Sequence, residues 1–174
     1  PIYELLIFRS AGIGDFLVIL PFINYLINII GIPKKKIHFI IINNQNLNPF
    51  KLIFEEGDYL VKNSSVLNPH IGYKEIKRIR SLYIKRDFTK IIYLPFMNES
   101  LKSKIKKYIS IKFISGGRKH VYGLNFQRKL ENIGTQYLTY FEQLGLKKFN
   151  NYLNFNLSDI TNFSEFEILN SNAI

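Results

Sequence analysis

Three short runs in this chain are almost wholly apolar, and they limit its fold more than any other feature. Residues 2–9 (Ile-Tyr-Glu-Leu-Leu-Ile-Phe-Arg), 37–43 (Ile-His-Phe-Ile-Ile-Ile-Asn) and 90–96 (Lys-Ile-Ile-Tyr-Leu-Pro-Phe) do not alternate polar with apolar residues. A strand with one wet face alternates; a strand covered on both faces does not. Strands of that kind belong to parallel sheets, which need crossover connections, and the segments between the runs read as helices.

The first connection contains an uncharged run of 17 residues, Phe16 to Ile32. A membrane-spanning helix needs about 20 apolar residues, and this run includes Pro21, Asn24 and Asn28. The two asparagines lie four apart and share one helix face. The run reads as a buried helix, opened by Asp15 as N-cap, kinked near 17–21 at Pro21, and closed by Gly31 and Pro33. Further on, 48–56 reads as a short helix ended by Gly57. Residues 58–69 are ambiguous, with room for a short strand near 59–61. Residues 71–86 and 99–109 read as basic amphipathic helices, 111–115 as a short strand, and 128–145 as a closing helix capped by Gly145. Strands alternating with helices predict right-handed βαβ units and an α/β, Rossmann-like three-layer domain with a parallel sheet.

Ligands of such sheets bind at the carboxyl ends of the strands. The first loop there lies in Arg9-Ser10-Ala11-Gly12-Ile13-Gly14-Asp15-Phe16-Leu17-Val18-Ile19-Leu20-Pro21. Its glycines let a ligand approach backbone amides near a helix start. A carboxylate there would repel phosphate, but it suits a site that removes a proton from a hydroxyl. As a dinucleotide site the segment fails: the third glycine would fall at Leu17, and Asn43 and Asn44 stand where an acidic residue would close the second strand. No Gly-Lys-Ser/Thr and no Gly-x-Ser-x-Gly occurs. By spacing alone Asp15 is a helix cap as readily as a base, and the two roles are compatible.

The arrangement resembles the N-terminal domain of the lipopolysaccharide heptosyltransferases (glycosyltransferase family 9). Arg9, Gly14, Asp15 and Pro21 match that family's strand-end Arg, its Gly-Asp loop and its proline six residues on. Residues 88–95, 111–117 and 137–146 resemble its middle strand, its short strand before a basic loop, and its closing helix. The resemblance runs to about residue 150. It implies a two-domain GT-B fold, with residues 1–150 as the acceptor-binding domain. Residues 151–174 would be a linker or the start of a C-terminal domain that binds the nucleotide-sugar donor. It also implies that Asp15 is the catalytic base of an inverting, metal-independent transfer to a lipopolysaccharide or related anionic glycolipid acceptor, and that no cofactor or metal takes part. Without the donor-binding segments, the 174 residues are expected to be inactive alone. Acceptor binding is expected from Arg9, Ser10, Gly12, Ile13 and Gly14. Arg118, Lys119 and His120 are added to this set because their loop follows Gly116-Gly117 and the strand expected before it. For each of these three, a plain solvated basic loop is the competing reading.

Charge bears on partners. Lys and Arg total 24 against 13 Asp and Glu, a net +11, which favours anionic partners. No cysteine is present, so disulfide, Cys–zinc and thiol chemistry are excluded. The three histidines, at 38, 70 and 120, match no common metal spacing. No signal peptide is evident, and the expected location is cytoplasmic, peripheral to the inner face of the membrane. The basic helices offer Lys74, Lys77, Arg78, Arg80, Lys85, Arg86, Lys102, Lys104, Lys106 and Lys107 to anionic lipid or to water, with the interleaved Ile, Leu and Tyr read as core. The alternative function is a non-catalytic basic Rossmann-like module for nucleic acid or nucleotide, although no nucleic-acid-binding signature appears and no specific nucleic acid is expected.

Overall fold

The computed structural model describes residues 4–10, 12–68, 72–95, 100–117, 120–124 and 133–146. These divide into two compact units, one drawn from Pro1–Val18 and Ile32–Lys129, the other from Ile19–Gly31 and Leu130–Ile174.

The first unit is built on a five-stranded, all-parallel sheet of β1 (Leu5–Ser10), β2 (Ile37–Ile42), β3 (Ser64–Leu67), β4 (Lys90–Leu94) and β5 (Val121–Gly123). The strand order is β3-β2-β1-β4-β5. The central strand β1 pairs on one side with β2, from Leu5↔Ile37 to Ser10↔Ile42, and on the other with β4, from Leu5↔Lys90 to Arg9↔Leu94. Every residue of β1 and β2 is buried, as their apolar runs require.

Successive side chains point to opposite faces. On one face Leu6, Phe8, Ile40 and Ile42 pack with Ile79 and Tyr83 of α5 (Tyr73–Tyr83) and with Ile111 and Ile114 of α6 (Leu101–Ile114). On the other, Phe39 meets Phe16 of α1 (Ile13–Leu17) and Phe50 of α3 (Phe50–Ile53), with ring centroids 6.5 and 4.8 Å away. Phe16 and Phe50 close the triangle edge to face at 4.6 Å. Helices therefore cover both faces, which makes this an α/β, Rossmann-like unit. Arg80 ties α5 to α6, stacking 4.4 Å over the Phe113 ring while donating to the Phe113 carbonyl.

In the second unit, Phe141 of α7 (Ile133–Leu144) stacks on Phe22 and Tyr25 of α2 (Leu20–Asn28), at 5.5 and 4.4 Å. Gly31 and Gly145 take the positive φ, 77° and 63°, that lets a chain turn out of a helix. No described helix is long and apolar enough to cross a membrane.

Four local expectations are corrected. The helix expected from Asp15 onward is two helices, broken at 18–19, and Pro21 sits in the first turn of α2, where its missing N–H is harmless. Asp15 is not the N-cap; Gly12 is, and Asp15 is the third residue of α1. Residues 59–61 belong to a helical turn, α4 (Tyr59–Lys62), because Asp58 caps it, accepting from the Leu60 N–H at 2.7 Å; the strand follows at Ser64. Residues 111–114 finish α6 rather than forming a strand. Ile111 and Ile114, three apart, point together into the core, and helix spacing wins over β propensity. The tail beyond 146 lies outside the described residues.

Candidate functional site

The carboxyl edge of the sheet gathers Arg9, Ser10, Gly12, Ile13, Gly14 and Asp15. Arg9, second to last in β1, is buried, only 5% exposed. Its Nη1 donates to the carbonyls of Leu94, at 3.4 Å, and Pro95, at 3.0 Å, where β4 ends. Its Nη2 donates to the main-chain carbonyl of Asp15 at 2.8 Å. Burial pushes the guanidinium below its usual value, opposed by attraction to the Asp15 carboxylate and Tyr93, yet an arginine stays charged. Arg9 thus fixes the backbone of the Asp15 turn to the end of β4. Its two Nη atoms are engaged by three main-chain carbonyls.

α1 starts at Gly12, whose carbonyl accepts from the Phe16 N–H at 3.1 Å. The Asp15 carboxylate turns back toward this start, with Oδ2 3.9 Å from where a Cβ on Gly12 would stand. A carboxylate in the first turn is favoured by the exposed amides there. Asp15 is partly exposed, Gly12, Ile13 and Gly14 are exposed, and a Cβ on Gly14 would meet nothing within 4 Å. The loop therefore presents bare backbone and one reachable carboxylate.

Ser10 ends β1 and is 6% exposed. Its hydroxyl oxygen accepts from Lys107 Nζ of α6 at 2.6 Å. Lys107 also borders a cleft of about 290 Å³. Ile42, Leu67 and Ile76 give that cleft an apolar lining, Asn44 and Asn68 follow β2 and β3, and α6 adds Ser103, Lys106, Lys107 and Ser110. Among the described residues no carboxylate lines it, and Asp15 is not one of its lining residues. Two ammonium groups beside amides and hydroxyls suit an anionic, hydroxyl-rich ligand. The motif could not disclose the cleft, because Ser10 and Lys107 lie 97 residues apart. The available signal is Lys107 itself, four and seven residues before Ile111 and Ile114, on the buried face of α6.

His120 stands elsewhere. With 111–114 helical, the loop that holds it leads into β5 instead of following a strand. Val121 pairs level with Ile91, which is itself level with Leu6. His120 is therefore at the amino edge, opposite Asp15, where its ring meets Tyr122 edge to face at 4.6 Å. The carboxyl-edge placement expected for it is corrected accordingly. Arg118 and Lys119, like Ala11 and His70, lie outside the described residues. Among the described residues no group of three or more His, Cys, Asp or Glu could hold a metal ion.

No family model, no curated protein and no solved structure matches the chain. The resemblance to heptosyltransferases rests on Arg9, Gly14, Asp15 and Pro21 and on the patterns at 88–95 and 137–146, while the helix through Ile114 removes the strand expected at 111–117.

Proposed function

We propose that this chain is the N-terminal, acceptor-binding part of an inverting, metal-independent glycosyltransferase of the GT-B type, heptosyltransferase-like, with Asp15 as its base. The observation that supports this reading is the turn at the end of β1, where Asp15 carries a reachable carboxylate and Arg9 clamps its backbone. In the step, Asp15 takes the proton of an acceptor hydroxyl as that oxygen bonds to the anomeric carbon of the donor sugar. The bond from that carbon to the nucleoside diphosphate breaks, and the diphosphate leaves with the electron pair. The donor would be held by a separate C-terminal domain, and the acceptor is an anionic glycolipid at the cytoplasmic face of a membrane.

The test is Asp15→Asn, assayed for transfer with the donor-binding half present. The rate should fall by about 10²–10⁴, the usual contribution of a general base, while affinity for the acceptor and the unfolding midpoint hold. Near-normal turnover removes Asp15 as base.

The cleft at Lys106 and Lys107, with no carboxylate among its described lining residues, favours a second reading, a non-catalytic module for a nucleotide or nucleic-acid phosphate. On that reading a nucleoside diphosphate raises the unfolding midpoint of the 174-residue chain. Lys106→Met with Lys107→Met then abolishes the rise, and Asp15→Asn leaves it intact.

A further inference from the structure

We propose that the outward face of α6 docks this chain onto an anionic lipid bilayer. The helix is apolar on two opposed sides. Ile111 and Ile114 are buried against the sheet, at 1% and 0% exposure. Leu101, Ile105, Tyr108 and Ile109 are 74%, 53%, 38% and 63% exposed. Their spacings of three and four place these four on one arc, about 100° wide at 100° per residue. A folded chain gains nothing in water from a row of four large apolar side chains, and such rows mark interaction surfaces.

The charges around the row select the partner. Lys112 lies within the arc, Lys102 and Lys106 flank one side, Lys104 flanks the other, and α6 contains no Asp or Glu. Lysines on both flanks of an apolar row can sink their methylene stems while their ammonium groups reach outward. That pattern fits a helix lying in the plane of a bilayer, with its apolar arc among acyl chains and its lysines at anionic headgroups. At 14 residues α6 is about 21 Å long, too short to cross. The proposal stands apart from the transferase reading, since it needs neither Asp15 nor an acceptor.

The test is flotation of the 174-residue chain with vesicles of phosphatidylcholine alone, or with about a third phosphatidylglycerol. Binding should be at least about tenfold stronger on the anionic vesicles. Leu101→Ser, Ile105→Ser and Ile109→Ser together should weaken it by about tenfold or more without shifting the unfolding midpoint, because all three side chains are exposed. Lys35→Gln, Lys51→Gln and Lys62→Gln remove three charges elsewhere and should leave most binding in place. The chain has no tryptophan, so Ile105→Trp supplies a probe whose emission should move to the blue on the vesicles. Three results overturn the proposal: undiminished flotation of the serine variant, unchanged emission from the bound tryptophan variant, or self-association that the serine variant abolishes in a chain that does not float.

Discussion

Arg9 carries its guanidinium between the end of β4 and the first turn of α1, and three main-chain carbonyls depend on it. Its Nε is buried without a partner, which offsets part of what those bonds contribute. Arg9→Met keeps the length of the stem and leaves the carbonyls unpaired. At about 1–3 kcal/mol for a buried group left unsatisfied, urea unfolding should show a loss of at least about 2 kcal/mol. Lysine cannot span three acceptors with one point charge, so Arg9→Lys should recover only a part. His38, buried at the other end of the sheet, makes a pH prediction. Its Nε2 lies 3.2 Å from Glu4 Oε1, not aligned as a hydrogen bond. Burial, then Arg86, lowers its pKa, Glu4 opposes, and Lys36 lowers it further. An unfolded histidine titrates near 6.5. Between that value and the lower folded one, the unfolded chain holds a proton that the folded chain does not, so stability falls as pH drops from about 7 through 6. His38→Gln should flatten that fall. Asp58 and Glu75, whose folded values are lowered, act only as pH falls below about 4.

At the scale of elements, two positions fix where helices start and stop. Asp58 accepts from the Leu60 N–H and pairs with Lys34 Nζ at 2.6 Å. Asp58→Ala should cost about 1–2 kcal/mol in urea unfolding, mostly the lost cap. Gly116 stops α6 with φ of 80°, and a Cβ there would stand 2.6 Å from Ile84 Cδ1. The Ile84 tip can move but the backbone cannot, so Gly116→Ala should cost about 1–2 kcal/mol. These two positions also mark where the sequence was hard to read. Strands covered on both faces betray themselves by composition, and β1, β2 and β4 fall where their apolar runs predict. The run Ile111-Lys112-Phe113-Ile114 is too short for its composition to choose between helix and strand, and the choice is made by packing of Ile111 and Ile114 on the sheet. The interleaved apolar residues of α6 divide likewise: Ile111 and Ile114 join the core, whereas Leu101, Ile105, Tyr108 and Ile109 face outward.

For the whole molecule, the order β3-β2-β1-β4-β5 sets which distant residues meet. The loop at 10–15 was legible because it follows the first strand directly. The cleft was not, since it draws on the ends of β2 and β3 and on α6, which follows β4, and these meet only in the assembled sheet. The net charge of +11 also acts at this scale. Self-repulsion destabilises the compact state and is screened over about 10 Å in 0.1 M salt, so raising sodium chloride from low to near-physiological strength should raise the unfolding midpoint. The position of β1 has a consequence in time as well. It is made before the other four strands of the sheet yet lies at the centre, with one edge reserved for β4. Roughly 50 residues separate the end of β2 from the start of β4, so at about 5–20 residues per second that edge waits roughly 2–10 s for its partner. During synthesis a strand whose six residues are all buried in the folded sheet is the one left half-paired longest, and a chaperone that shields nascent chains would have its use there.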